Sequence, residues 1–158
     1  MPGRTPDAAD LPSTADLTED DFRADQLLRR IPSLDDGNFY AVNTETGERN
    51  LSSAAFKLRR DETGLSIFSN TIVERLELSH ADLCRKPHNA IAALPGSEPP
   101  SRGLRTEPDP WPVDAPEPEH LRNAAHAVIN GIDALGQGEQ KRVARDFAKI
   151  ARLVHPPQ

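Results

Sequence analysis

Proline is concentrated in one stretch of the chain, and this stretch limits the folds that the sequence can adopt. Eight of the fifteen prolines lie from Pro95 to Pro118. Proline lacks a backbone N–H and is excluded from central β-strands. We therefore expect residues 95–118 to form an extended surface segment, partly in the polyproline II conformation. Residues 103–106 can add one edge strand, and Trp111 would anchor the segment to the core.

The composition predicts a modest core carried by part of the chain. Hydrophobic residues make up 36% of the 158 positions, below the roughly 45–50% that is typical of globular domains even after glycine is allowed for. Residues 1–15 combine small, acidic and proline positions without an apolar period, so we expect a disordered acidic arm there. Residues 16–155 would then form a single α+β domain.

Short apolar runs separated by turn residues predict a small antiparallel sheet at residues 38–69. Its expected strands cover residues 38–42, 51–58 and 65–68. A sheet of this size needs a covering element for stability, and helices on either side can supply it.

A helix is expected before this sheet. Thr18 can act as its N-cap, with Asp21 at the third helical position in a variant of the capping box. Leu27, Leu28 and Ile31 would give its later turns an apolar face, and the following proline would end it.

The C-terminal part of the chain has the clearest helical periodicity. Apolar residues step by four, three, four and three from Leu121 to Leu135, which is the spacing of one helical face. Glycines at 136 and 138 interrupt the pattern, and a second apolar stripe runs from Val143 to Val154. Two such stripes across a short loop predict an antiparallel helix pair at residues 117–155.

Charge and cysteine content exclude several classes of protein. The net charge of −6 argues against generic binding to nucleic acid or to an anionic membrane. Cys84 is the single cysteine, so no intramolecular disulfide can form. The sequence has no signal-peptide pattern and no apolar run near the roughly 18 residues of a membrane span. We expect a soluble cytoplasmic protein, without a cofactor.

One polar segment, HADLCRKPH at residues 80–88, has the composition of a metal site. His80, Cys84 and His88 lie four residues apart, and zinc binds histidine nitrogen and thiolate sulfur. Pro87 interrupts a continuous helix, so His88 would fall out of register with the other two. We therefore favour a polar turn with a buried structural thiol, and a zinc site remains the weak alternative.

A second candidate site lies around a pair of serines. Ser52 and Ser53 stand beside small residues, which would let a ligand approach the backbone. On a strand, Lys57 and Arg59 would share a face with Ser53 and could bind an anion. The alternative is a strand end with two solvated serines.

Two further features concern the C-terminal part. His126 neighbours the apolar helical face, where a histidine is usually a surface or a satisfied core residue, and a catalytic role would need an orienting acid.

A basic face of the last helix is formed by residues that step by four, four and three: Lys141, Arg145, Lys149 and Arg152. It could contact phosphates, an acidic protein partner or the acidic arm. An ordinary solvated face is the alternative.

Several short motifs together resemble a group of short bacterial proteins, chiefly actinobacterial. They are RRIP at residues 29–32, LSSAAF at 51–56, GLSI at 64–67 and NAAHAVING at 123–131. The resemblance implies no activity. It directs attention to four residues as one candidate cluster: Arg30, Ser52, Ser53 and His126.

The sequence therefore predicts a non-catalytic binding or accessory protein that acts with a protein partner in a bacterial system. The alternative is a small enzyme or an anion- or nucleotide-binding domain that uses the four-residue cluster. Nucleic-acid binding through the last helix is a weaker alternative. The arrangement of the cluster discriminates between them, because convergence in one concave pocket favours a ligand site.

Overall fold

A six-stranded antiparallel sheet organises the chain in the computed structural model, which describes residues 11–32, 39–42, 44–47, 49–59, 62–86, 89–110 and 119–155. The strand order is β6-β7-β4-β1-β5-β8, and β2 and β3 form a separate two-stranded sheet. The strands are β1 Gln26–Ile31, β2 Tyr40–Val42, β3 Arg49–Leu51, β4 Leu65–Ser69, β5 Ala90–Pro95, β6 Arg105–Pro108, β7 His126–Asn130 and β8 Arg152–His155. The predicted α+β class is confirmed.

Five α-helices occur among the described residues: α1 Glu19–Arg23, α2 Asn70–Arg75, α3 Glu98–Ser101, α4 Glu119–Ala125 and α5 Gln137–Ile150. Short 3-10 helices lie at Thr14–Asp16, Ser53–Phe56, Ala81–Leu83 and Ile132–Ala134. Within this described part, no helix has both the length and the apolar character to cross a lipid bilayer.

The centre of the sheet is β1, which pairs with β4 on one side and with β5 on the other. The predicted capping box of Thr18 and Asp21 is confirmed, but the helix that it begins ends at Arg23. The expected continuation of this helix to Ile31 is wrong. A strand covered on both faces buries consecutive apolar residues, so the run at residues 27–31 fits a central strand as well as a helical face.

The C-terminal part also differs from the expected helix pair at residues 117–155. Helix α4 ends at Ala125, and β7 follows at once between β4 and β6. Val128 and Ile129 are β-branched and favour a strand, although their neighbours also fit the four-three spacing of a helix. After α5, the chain returns to the sheet as β8 at its opposite edge.

Smaller differences concern the predicted sheet and the proline-rich segment. The expected second strand at residues 51–58 ends at Leu51 and is replaced by a 3-10 helix. Residues 95–118 are not wholly extended, because α3 lies within them, whereas the expected edge strand is present as β6. Trp111 lies outside the described residues.

The N-terminal segment is partly docked on the sheet. Residues 11–15, which we assigned to the disordered arm, lead into a 3-10 helix in which Thr14 is fully buried. The Thr14 hydroxyl donates a hydrogen bond of 2.7 Å to the carbonyl oxygen of His126. The remainder of the predicted arm, residues 1–10, lies outside the described part of the chain.

Helix α5 covers one face of the sheet with an apolar stripe. Its buried residues include Val143, Ala144 and Phe147, at the spacing of one helical face. Phe147 meets Phe56 edge to face, with ring centroids 6.0 Å apart, an arrangement that aromatic pairs favour. The 3-10 helix at Ser53–Phe56 is therefore held between α5 and the rest of the core.

We expect Gly96→Ala to destabilise the fold by about 3 kcal/mol, because overpacking forces backbone shifts. A methyl group at Gly96 would overlap the carbonyl oxygen of Phe22 and lie 2.8 Å from that of Asp25. Gly138→Ala is the matched control, since a methyl group there meets nothing within 4 Å and alanine favours a helix. Urea unfolding would measure both changes, and equal midpoints for the two variants would contradict this close approach.

Candidate anion-binding pocket

A cavity of about 440 Å³ opens beside β1, β4 and β7. In the strand registers, Leu28 is opposite Phe68, and Phe68 is opposite His126. Side chains alternate between the faces of a strand, so Arg30 shares a face with Leu28. The sheet thus brings Arg30, Phe68 and His126 together in this cavity. The other lining residues are Arg29, Arg59, Glu62, Thr63, Gly64, Ser66, Arg85, Asp109 and Val128.

A buried ion pair positions the loop that borders the cavity. Arg29 is 2% exposed; its Nε donates to the carbonyl oxygen of Ala55 at 3.0 Å, and its Nη1 donates to that of Ser66 at 2.8 Å. The same Nη1 lies 3.4 Å from Oε2 of Glu62. Glu62 also accepts from the backbone N–H groups of Arg59 at 2.8 Å and Ser66 at 3.2 Å. Both oxygens of Glu62 are therefore used by the protein itself.

The electrostatics of this pair follow from its burial. Burial lowers the pKa of Arg29 to about 10, although the charge of Glu62 opposes the shift. Burial alone would raise the pKa of Glu62, but the Arg29 guanidinium and the backbone N–H donors hold it below its ordinary value. Both groups are consequently charged near neutral pH, and each depends on the other for compensation.

Arg30 carries a second positive charge, on the opposite face of β1. Its Nη1 donates to the carbonyl oxygen of Leu83 at 3.0 Å, and its guanidinium lies 5.7 Å from the centroid of the Phe68 ring. Burial lowers the pKa of Arg30 to about 10. Three neighbouring positive charges contribute to this shift: Arg85, Arg122 and Arg59. Like charges are thus gathered around Arg30.

Among the described residues that line the cavity, arginines outnumber carboxylates. Among the described residues, no carboxylate lies within ion-pair distance of Arg30, Arg59 or Arg85. Glu62 and Asp109 are the acids of the lining, and Glu62 pairs with Arg29. This positive site belongs to a chain whose net charge is −6.

His126 forms the floor of the cavity. Its Nδ1 lies 2.9 Å from the carbonyl oxygen of Asp109 and 3.2 Å from Oδ2 of the same residue. Its ring meets Phe68 edge to face at 5.9 Å between centroids. Burial lowers its pKa below the ordinary 6.5, against the opposing effect of Asp109. A neutral imidazole with its proton on Nδ1, donated to Asp109, satisfies this geometry.

The predicted cluster is brought together only in part. Arg30 and His126 line the cavity, whereas Ser52, Ser53 and Lys57 are absent from its lining. Ser52 precedes the 3-10 helix that Ser53 begins. Lys57 instead lines a second cavity of about 300 Å³, which it shares with α5.

Sequence reasoning missed four charged residues of the cavity: Arg29, Glu62, Arg85 and Asp109. Arg59 was expected as an anion ligand beside Ser53 on a strand, but it lies in a loop, where its backbone N–H donates to Glu62 and its side chain donates to the carbonyl oxygen of Arg30. Arg85 and Asp109 follow a 3-10 helix and an edge strand, respectively. No periodic pattern of apolar residues marks such positions.

Residues 80–88 were considered as an alternative zinc site, and two of the three candidate ligands lie in the described part of the chain. His80 and Cys84 flank the 3-10 helix at Ala81–Leu83, and the Cys84 thiol lies 3.7 Å from the carbonyl oxygen of His80. His88 lies outside the described residues. Within them, no three His, Cys, Asp or Glu side chains are grouped to hold a metal ion. Burial raises the pKa of Cys84, which favours the thiol over the thiolate that zinc requires.

The predicted basic face is divided between two elements. Lys141, Arg145 and Lys149 are exposed on α5, but Arg152 belongs to β8 because the helix ends at Ile150. The acidic residues of α5 form ion pairs with arginines outside this basic face. Glu139 lies 3.2 Å from Arg142, and Asp146 lies 2.6 Å from Arg102.

Comparisons of the chain with protein-family models, curated proteins and solved structures find no match. The geometry and charge of the arginine-lined cavity are therefore the basis for assigning a function.

We expect Glu62→Gln to reduce the free energy of unfolding by about 2 kcal/mol, because it leaves the buried Arg29 charge without compensation. Glu139→Gln is the control, since its ion pair with Arg142 is exposed and should contribute under about 0.5 kcal/mol. Chemical denaturation at neutral pH measures both variants. A loss no larger than that of the control would show that the pair does not hold the loop.

His126 should make the protein less stable as the pH falls from about 7.5 to about 5.5. The unfolded chain takes up a proton near pH 6.5, whereas the folded chain resists protonation because the pKa of His126 is lowered. The unfolded state therefore binds more protons in this range, and stability increases with pH. Urea unfolding across the range, for the wild type and His126→Gln, would measure this. An unchanged pH dependence in the variant would contradict the assignment.

Proposed function

We propose that the protein binds a small anion that carries a phosphate group in the arginine-lined cavity. The observation that carries this proposal is the convergence of Arg30, Arg59 and Arg85 on one cavity without carboxylate partners among the described residues. Guanidinium groups recognise phosphate and carboxylate oxygens through paired N–H donors. A volume of about 440 Å³ suits a small ligand.

The mutual repulsion of the arginines in the cavity supports an anionic ligand. Burial is the largest cause of the lowered pKa of Arg30, and the neighbouring arginines lower it further, because like charges held close together disfavour one another's charged form. A bound polyanion would remove this repulsion and satisfy the N–H donors that face the cavity. The cluster therefore costs folding stability without ligand and would contribute binding energy with it.

We propose binding without a chemical step. A general base must reach the proton that it removes, but the side chain of His126 is 2% exposed and its Nδ1 is directed to Asp109. These contacts suit a residue that positions Asp109 at the rim of the cavity.

Arg85→Gln should weaken the binding of pyrophosphate roughly tenfold, the effect of losing one hydrogen bond to a charged group. Arg85 is exposed, so its removal should leave the melting temperature unchanged or raise it slightly by relieving repulsion. Lys86→Gln is the matched control, because Lys86 is an exposed neighbouring cation outside the lining. Titration calorimetry measures the affinities. The proposal fails if wild-type protein shows no binding, or if both variants weaken it equally.

A second candidate function is the docking of an acidic protein partner on the outer face of α5. Both acids of this helix are in ion pairs, so Lys141, Arg145 and Lys149 remain exposed without acidic partners in the described part of the chain. Complementary charge would steer such a partner to this face. Native mass spectrometry of the protein isolated from its host, with the wild type and Arg145→Glu, tests this. A defined protein lost in the variant supports it, and loss of bound nucleic acid instead would contradict it.

A further inference from the structure

We infer that the anion bound in the cavity is a phosphorylated sugar or a related polyol phosphate, rather than a nucleotide recognised by its base. This inference rests on the proposed anion site and concerns the part of the ligand beyond the phosphate. It depends on one half-exposed carboxylate, on two hydroxyl side chains and on the way in which the aromatic rings of the cavity are covered.

Asp109 is a carboxylate at the rim of an otherwise positive cavity. Its side chain is 46% exposed, and its Oδ2 and carbonyl oxygen both face Nδ1 of His126. No donor to its Oδ1 is found among the described residues. A free carboxylate would repel a simple anion, but it accepts hydrogen bonds from ligand hydroxyl groups. A ligand that has both phosphate and hydroxyl groups would satisfy both kinds of residue.

Glu62 provides a contrast inside the same cavity. Its Oε1 accepts from the backbone N–H of Arg59, and its Oε2 accepts from Ser66 and pairs with Arg29. Its hydrogen-bonding capacity is thus largely used within the protein. Asp109 is the acid of the lining that retains an oxygen for a ligand.

Two hydroxyl side chains add to the polar character of the cavity. Thr63 and Ser66 line it, and Ser66 lies on the strand face that also carries Phe68. A hydroxyl group both donates and accepts hydrogen bonds, so these residues complement the hydroxyl groups of a sugar. They are less suited to a flat apolar surface.

Among the described residues, the aromatic rings that line the cavity are not available for stacking against a base. Phe68 is 4% exposed, with the Arg30 guanidinium over its face and the edge of His126 against it. His126 is itself buried. Proteins that bind bases commonly stack them on exposed aromatic faces. The cavity instead offers charged and hydroxyl groups, which favours recognition of the sugar phosphate alone.

Titration calorimetry with wild-type protein tests the inference through three ligands: inorganic phosphate, ribose 5-phosphate and AMP. We expect ribose 5-phosphate to bind at least about tenfold more tightly than inorganic phosphate, from hydrogen bonds to Asp109. AMP should bind no more tightly than ribose 5-phosphate. This comparison requires no variant, so it does not depend on how a substitution affects folding.

Asp109→Asn provides the second measurement. It should weaken ribose 5-phosphate about tenfold and leave inorganic phosphate unchanged or tighter, because a negative charge is removed beside the arginines. Asp133→Asn is the matched control, since Asp133 is exposed and outside the lining. Equal weakening of both ligands by Asp109→Asn would contradict a role in hydroxyl recognition.

The outcomes separate this inference from the function on which it rests. If inorganic phosphate and ribose 5-phosphate bind equally, or if AMP binds at least tenfold more tightly than ribose 5-phosphate, the inference is overturned and the anion site stands. If none of the three ligands binds and pyrophosphate also fails, the proposed function itself is overturned.

Discussion

The buried guanidinium of Arg29 joins three parts of the chain that are far apart in sequence. From the central strand it reaches the 3-10 helix through Ala55, and it reaches β4 and its preceding loop through Ser66 and Glu62. A charge this buried is tolerated only when nearly all its donors are used. The arrangement of these partners is therefore strongly constrained, and it fixes the loop that carries Arg59 to the rim of the cavity.

Alternation along β1 gives two adjacent arginines different roles. Arg29 is directed toward the face that contacts the 3-10 helix, and its charge is balanced by Glu62. Arg30 is directed to the opposite face, where its nearest charged neighbours are other arginines. The charge of Arg29 is compensated within the protein, whereas that of Arg30 has a backbone carbonyl and an aromatic ring as its partners. Under the proposed function, the first arginine belongs to a structural ion pair and the second to the anion site.

The fold class and part of the cavity could be predicted from the sequence, because turn residues and the capping box of α1 are local signals. Strands β1 and β7 were predicted as helices, since residues buried on both faces of a sheet lose the alternation that identifies a strand. The sequence correctly grouped Arg30 with His126, but it wrongly added Ser52 and Ser53, which do not line the cavity. The serines lie at the start of a 3-10 helix that contacts Arg29 through Ala55, and such contacts between residues 26 to 37 positions apart leave no local signal in the sequence.

The carbonyl oxygen of His126 links β7 to two segments that are distant in sequence, the N-terminal 3-10 helix and the residue after β6. It accepts a hydrogen bond from the Thr14 hydroxyl at 2.7 Å and another from the Asp109 backbone N–H at 3.2 Å. Nδ1 of the same residue lies 3.2 Å from Oδ2 of Asp109, which can accept its proton in a hydrogen bond. Asp109 is thus held at both its backbone and its side chain by one residue of β7. A carboxylate fixed in this way loses little conformational entropy when a ligand binds, which is the condition for selective recognition of a hydroxyl group.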